Sequence, residues 1–141
     1  MIIEVKNEED TKNFGFKLGT KLSGGEVIEL VGDIGAGKTT LVKGIAQGLG
    51  VNDNVQSPSF TVSRVYKARN DLKLAHYDFY RLDDAGIMAH ELAETMHDPK
   101  AITVIEWANT VSNILPTQKI SIKIIATAET TRRLTVTGIN L

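Results

Sequence analysis

Gly32-Asp33-Ile34-Gly35-Ala36-Gly37-Lys38-Thr39 satisfies the spacing G-x-x-x-x-G-K-[ST], and it sits between a short apolar run and a helical pattern. The run, residues 26–31 (EVIELV), is β-branched and apolar enough for a buried parallel strand. Beyond the glycines, Leu41, Ile45 and Leu49 recur at helical spacing as far as Gly50. Strand, glycine loop and helix in direct succession commit the chain to an α/β sheet, because the helix must fold back to bury its apolar stripe. Each loop position has a mechanical reason. Glycines let the backbone curl so that successive N–H groups point inward around a β-phosphate. The helix opening near Lys38 adds its partial positive charge. Lys38 brings an ammonium to β- and γ-oxygens, Thr39 brings a hydroxyl to Mg²⁺, and Thr40 reaches toward the α-phosphate.

The flanking sequence fills in the architecture. Ile2, Ile3 and Val5 open as a short strand. Asn7 before Glu8, Glu9 and Asp10 has the character of a helix N-terminus, and Phe14, Leu18 and Leu22 extend a helix over residues 8–22 until Gly24-Gly25. Residues 60–66 and 73–80 predict two strands separated by the turn-prone Asn70-Asp71, and residues 84–96 a helix weakened by Gly86. Residues 101–106 (AITVIE) form a second fully apolar strand. After Pro116, residues 119–125 (KISIKII) and the later RLTVTGI alternate strictly, as antiparallel strands with one solvated face do. The expected fold is α/β, a P-loop NTPase-like three-layer sandwich whose mixed sheet has a parallel centre and antiparallel C-terminal strands.

Composition narrows the function. A length of 141 residues is that of one domain, 1–141, and 42% hydrophobic residues supply a core. Sixteen Lys and Arg against seventeen Asp and Glu argue against holding nucleic acid by bulk charge, although a local basic patch stays open. The absence of cysteine removes disulfides, thiolate metal sites and a Cys nucleophile. The acidic start has no secretory pattern, no apolar run approaches a bilayer span, and the expectation is a soluble cytoplasmic protein with no membrane contact.

A Mg²⁺·nucleotide site wants acids near the metal, and carboxylates at the C-terminal ends of parallel strands lie on the right rim. Glu106 closes the run Ile102-Thr103-Val104-Ile105 in the position of a metal-holding acid, or is a solvated strand end. Asp78, within His76-Tyr77-Asp78-Phe79-Tyr80-Arg81, orients water or makes a structural bond to an Arg or Tyr; in an extended strand it shares a face with His76 and Tyr80. A His76/Asp78 metal pair is a third reading, with no further ligand near it in the sequence. Ser57-Pro58-Ser59-Phe60-Thr61 falls where a γ-phosphate switch would lie, or is an ordinary turn. Trp107 stacks on a ligand or packs as core or lid, and Arg132-Arg133 meet phosphate or tRNA or stay solvated.

The order DIGAGKTT (33–40), SPSFT (57–61), HYDFYRL (76–82) and EWAN (106–109) closely resembles the bacterial TsaE family, from Glu9-Asp10-Thr11 to the last RRLTV strand. The resemblance implies ATP hydrolysis coupled to a complex with TsaB and TsaD. That complex makes threonylcarbamoyladenosine (t6A) at position 37 of tRNAs reading ANN codons; the ATPase resets it between turnovers without making the threonylcarbamoyl group. Carried over, the nucleotide contacts are Thr11 near the adenine, Asp33, Gly35, Ala36, Gly37, Lys38, Thr39, Thr40 and Trp107. Thr39 and Glu106 hold Mg²⁺, Lys38 and Asp78 are catalytic, and tRNA is met through the partners. Ile34 replaces the family's usual Leu and Ser59 its usual Thr, residues 83–100 match weakly, and no extension is expected after the last strand. Two other function classes compete: a small-metabolite kinase of the P-loop class, with little room for a lid, and a nucleotide-dependent binding module that does not hydrolyse. No guanine-reading N-K-x-D motif points to GTP.

Overall fold

In the computed structural model, which describes residues 1–58, 62–80, 82 and 84–141, the described strands form one seven-stranded sheet. These are β1 (Ile2–Val5), β2 (Val27–Val31), β3 (Ser63–Lys67), β4 (Lys73–Asp78), β5 (Ala101–Glu106), β6 (Ile120–Ala126) and β7 (Arg132–Thr137), in the spatial order β1-β7-β6-β2-β5-β4-β3. The four central strands β6, β2, β5 and β4 run parallel. β6 is where the sheet changes character: Ile28 of β2 pairs with Ile120 in parallel, while Ile124 pairs with Leu134 of β7 antiparallel. The expected parallel centre and antiparallel C-terminal strands are therefore borne out. A second antiparallel flank, β3 on β4, closes the other side through a turn in which Asn70 and Asp71 take left-handed φ of 56° and 62°.

Burial follows the residue pattern. All six residues of β5 are buried, as its unbroken apolar run requires for a strand covered on both faces. β6 alternates, with Ile120, Ile122 and Ile124 turned inward and Lys123 outward. Helices α1 (Glu8–Lys21) and α2 (Lys38–Gly48) cover one face, packing Phe14, Leu18, Leu41 and Ile45 against Ile28, Leu30, Val104 and Ile122. The opposite face of β2, β4 and β5 carries α3 (Ile87–Met96) and a 3₁₀ segment, Ala108–Ile114, over Val27, Tyr77, Phe79 and Ile105. That makes three layers.

The α1–α2 contact is unusually close, and four glycines make it so. A Cβ on Gly15 would stand 2.6 Å from the Leu41 carbonyl oxygen, and one on Gly19 2.9 Å from the Gly48 Cα. Gly44 and Gly48 face Lys12 and Phe16 backbone just as tightly. Three boundaries depart from the sequence expectation. The helix expected over 84–96 starts at Ile87, because Gly86 adopts φ 53° and ψ −129°, outside helical space. β4 stops at Asp78 instead of 80, where the Asp78 side chain turns the chain by accepting from the Tyr80 N–H at 2.9 Å. β3 begins at Ser63, and residues 60 and 61 of its expected span lie outside the described residues. Among the described residues, no helix is long and apolar enough to cross a membrane.

Candidate functional site

The loop between β2 and α2 takes its shape from backbone limits. Gly32 passes close to β6, where a Cβ would approach the Ile124 carbonyl oxygen to 2.9 Å. Gly35 and Gly37 adopt φ of 79° and 109°, and the Ala36 N–H closes a turn onto the Asp33 carbonyl at 3.0 Å. Gly37 is the cap residue of α2, so this helix begins with no capping side chain and no acid in its first turn. The contrast with α1 is direct: there Asn7 accepts from Asp10 N–H at 2.8 Å, Asp10 Oδ2 accepts from Lys6 N–H at 3.0 Å, and Glu8, Glu9 and Asp10 occupy the first turn. An uncapped helix N-terminus fronted by a curled glycine loop presents N–H donors to an oxyanion.

Lys38 is only 7% exposed. Its ammonium donates to the carbonyls of Gly32 at 2.5 Å and Asp33 at 2.9 Å, and lies 4.7 Å from the centre of the Trp107 ring. Trp107 follows β5 directly and takes a left-handed backbone, φ 55° and ψ 53°, uncommon for so bulky a residue. Tyr80 tilts against the same ring, centroid to centroid 4.7 Å. The parallel register sets Asp78 beside Glu106 at the ends of β4 and β5. A cavity of about 650 Å³ gathers Gly35, Gly37, Lys38, Thr39, Thr40, Asp78, Tyr80, Glu106 and Trp107.

Three expected residues, Thr11, Ala36 and Asp33, stand apart from that cavity. Thr11 is buried with its hydroxyl on the Asn7 carbonyl at 3.4 Å, and borders a neighbouring cavity of about 590 Å³ that shares Gly35, Gly37 and Thr40 and includes Ala36. Asp33 lines a third hollow of about 510 Å³ with Ile34, Lys123 and Trp107. Its carbonyl, not its carboxylate, meets Lys38.

Several alternatives resolve. Glu106 is no solvated strand end: it is 4% exposed, and its Oε2 lies 2.5 Å from Nε2 of His76, which is wholly buried. The His76/Asp78 metal pair does not form, since His76 turns into the protein interior, and no cluster of three or more His, Cys, Asp or Glu that could hold a metal exists among the described residues. Asp78 accepts from the Tyr80 backbone N–H, while Arg81 lies outside the described residues. Arg132 is not a solvated surface cation. Its Nε donates to the Ala36 carbonyl at 2.9 Å and its Nη1 to the Ala128, Glu129 and Thr131 carbonyls of the β6–β7 turn, tying that hairpin to the glycine loop. Arg133 pairs with Glu4 at 2.6 Å on the surface. Of the expected switch, Ser59, Phe60 and Thr61 lie outside the described residues; Val62, just after it, donates to the Pro58 carbonyl at 3.0 Å and accepts from Asp78 N–H at 2.7 Å.

Behind the site, the Tyr77 hydroxyl reaches Thr95 at 2.9 Å and Glu91 at 3.2 Å on α3. Burial, with the Glu91 carboxylate adding to it and the Thr95 hydrogen bond opposing, pushes this phenol up to about 12.

A glycine loop from the central parallel strand into an uncapped helix, with a lysine at its end and acids at the ends of the adjacent strands β5 and β4, defines the P-loop NTPase fold. The family model described as "Threonylcarbamoyl adenosine biosynthesis protein TsaE" matches residues 5–134, and the chain belongs to the TsaE family. It is 36% identical over 135 residues to the tRNA threonylcarbamoyladenosine biosynthesis protein TsaE of Bacillus subtilis (strain 168), covering 94% of this chain and 82% of that relative. The protein of the same name from Treponema pallidum (strain Nichols) is 36% identical over 131 residues, covering 93% and 96%. The crystal structure of YdiB from Bacillus subtilis superposes with a TM-score of 0.79 at 30% identity, over 99% of this chain and 86% of that one.

Proposed function

We propose that this chain is a Mg²⁺-dependent ATPase of t6A biosynthesis, acting in the cytoplasm with TsaB and TsaD and meeting tRNA through them. The observation that carries the ATPase reading is the single cavity joining the uncapped start of α2, Lys38, Thr39, Asp78 and Glu106. The residues fit the group they are asked to hold. Gly35 and Gly37 leave open space where side chains would stand, and the first turn of α2 offers donors with no acid of its own among them. Thr39 and Glu106 are hard oxygen donors, and so few protein ligands suit a cation that completes its shell from phosphate and water, as Mg²⁺ does. Bound there, Mg²⁺ would supply positive charge at the β- and γ-oxygens.

The chain's own residues then divide the task. The N–H groups of Gly35 to Thr40 hold the phosphate oxygens, and Lys38 exchanges its loop carbonyls for them. Asp78, fixed at the end of β4 by its own turn, accepts a hydrogen bond from the attacking water. On this reading the cavity beside Thr11 takes the nucleoside, and Trp107 and Tyr80, in ring contact, line the cavity that takes the phosphates. Phosphoryl transfer asks little covalent help, so placing charge is most of this catalysis.

Hydrolysis measured on the purified chain, alone and with TsaB and TsaD, tests the reading. Release of free phosphate from ATP is expected to be slow alone and faster with the partners, and to collapse in Lys38→Ala and Glu106→Ala. Undiminished stimulated hydrolysis in both variants would refute the site, and a phosphorylated small acceptor in place of free phosphate would point to a kinase.

A further inference from the structure

His76 has no part in the reading above, yet its surroundings are specific. It is wholly buried on β4, on the same face as Asp78 but one step further inside the sheet. Across the parallel register it stands opposite Val104, so the Glu106 side chain reaches back diagonally to meet its Nε2. The second ring nitrogen, Nδ1, has no hydrogen-bond partner among the described residues.

That asymmetry decides which nitrogen carries the proton. A neutral imidazole donates from one nitrogen and accepts at the other. A proton on Nδ1 would bury an N–H with no acceptor and leave the Glu106 carboxylate facing a bare lone pair. A proton on Nε2 gives that carboxylate a donor and leaves only an acceptor unfilled, the lesser cost in a buried place. His76 therefore donates to Oε2. The other oxygen of Glu106, Oε1, bonds no described residue, and Glu106 borders the phosphate-side cavity.

We propose that His76 is a positioning residue for Glu106: its Nε2–H fixes Oε2, and so presents Oε1 to the divalent cation of a bound nucleotide. This rests on the reading of Glu106 as a metal ligand. A carboxylate that must hold one oxygen still, at the end of a strand with no other described side chain bonded to it, gains from a rigid donor anchored in the core. Asp78 and His76 thus split the end of β4 between them, the outer residue facing water and the inner one facing the acid.

The test uses the full chain with ATP, and Mn²⁺ as the paramagnetic probe of the cation site. His76→Met removes the donor at similar volume, and His76→Gln keeps an N–H near the Nε2 position. His76→Met is expected to weaken Mn²⁺ binding to the ATP-loaded protein by about ten- to a hundredfold. ATP affinity in EDTA should stay within about twofold, and His76→Gln should recover most of the metal affinity. Long-range ¹H–¹⁵N spectra of the metal-free wild-type protein should show the Nε2-protonated tautomer. Unchanged Mn²⁺ affinity in a folded His76→Met, or an Nδ1-protonated ring in the wild type, would overturn the proposal. Should His76→Met not fold, the tautomer and His76→Gln decide: an Nδ1 proton, or a tenfold or greater loss in His76→Gln, rejects it. Glu106→Gln separates the two levels, since a variant that still binds Mn²⁺ normally overturns the ligand reading itself, whatever His76 does.

Discussion

Lys38 carries a full charge with almost no exposed surface, and it is tolerated because two loop carbonyls and the Trp107 ring stand in for water. Those partners are weaker than a phosphate, so the ammonium can be drawn from them. Lys38→Met keeps the stem and removes the charge. It is expected to weaken Mg·ATP binding by roughly ten- to a hundredfold, the worth of one charge-assisted hydrogen bond, and calorimetry would measure it. Tyr77 gives a second prediction at this scale. Its native ionisation lies near 12, against about 10 in an unfolded chain. Between those values the unfolded chain has lost the phenolic proton and the native protein keeps it, so stability falls as pH rises from about 10 to 12. Tyr77→Phe should remove that part of the slope, seen as a smaller loss of urea midpoint between pH 9 and 11.5. The wild-type and variant slopes agreeing would mean that the phenol is solvated.

Between elements, the decisive contact is α1 on α2. An exposed mid-helix glycine costs about 0.5–1 kcal/mol relative to alanine, so four of them over two helices would be a liability anywhere else. Here Gly44→Ala is expected to destabilise by about 1–3 kcal/mol, because its Cβ meets α1 backbone that has no flexible end to move aside. A lowered Tm by circular dichroism checks the sign; a raised one would show that the helices separate without cost. Arg69, in the turn between β3 and β4, binds the C-terminal ends of both helices. It donates to the Gly48 and Leu22 carbonyls at 2.7 Å each, and to Gly19 and Thr20 at longer range. This cation meets two negative helix ends at once. Arg69→Ala should cost about 1–3 kcal/mol and speed amide exchange in the last turns of both α1 and α2. Fraying confined to one helix would contradict the shared cap.

Taken whole, the molecule is uneven across its sheet. The α1–α2 face carries the larger buried cluster, while α3 buries Leu92 alone within its own span and leaves Ile87 outside. α3 amides should therefore exchange through a partial opening of lower free energy than those of β2 and β5, measured by hydrogen exchange at increasing denaturant. Exchange of α3 only with global unfolding would show its hydrogen bonds to Tyr77 to be stronger than burial suggests. The sequence made much of this plan legible. β5 fills the predicted span 101–106, and α1 lies within 8–22 with its Asn7 cap as expected. Its weak places were the ends: Gly86 delayed α3, and Asp78 ended β4 two residues early by bonding its own chain.

The chain by itself determined the glycine loop, the helix that follows it, the strand patterns and the acids at two strand ends. Each of these is written in contiguous residues, where backbone freedom and side-chain period act over a few positions. Tertiary structure alone decided that His76 meets Glu106 thirty residues away, that Arg69 caps two distant helices, that Arg132 secures the loop at Ala36, and that glycines on α1 and α2 face one another. Such partners share no local pattern, because strand register and helix packing bring them together only once the core has formed.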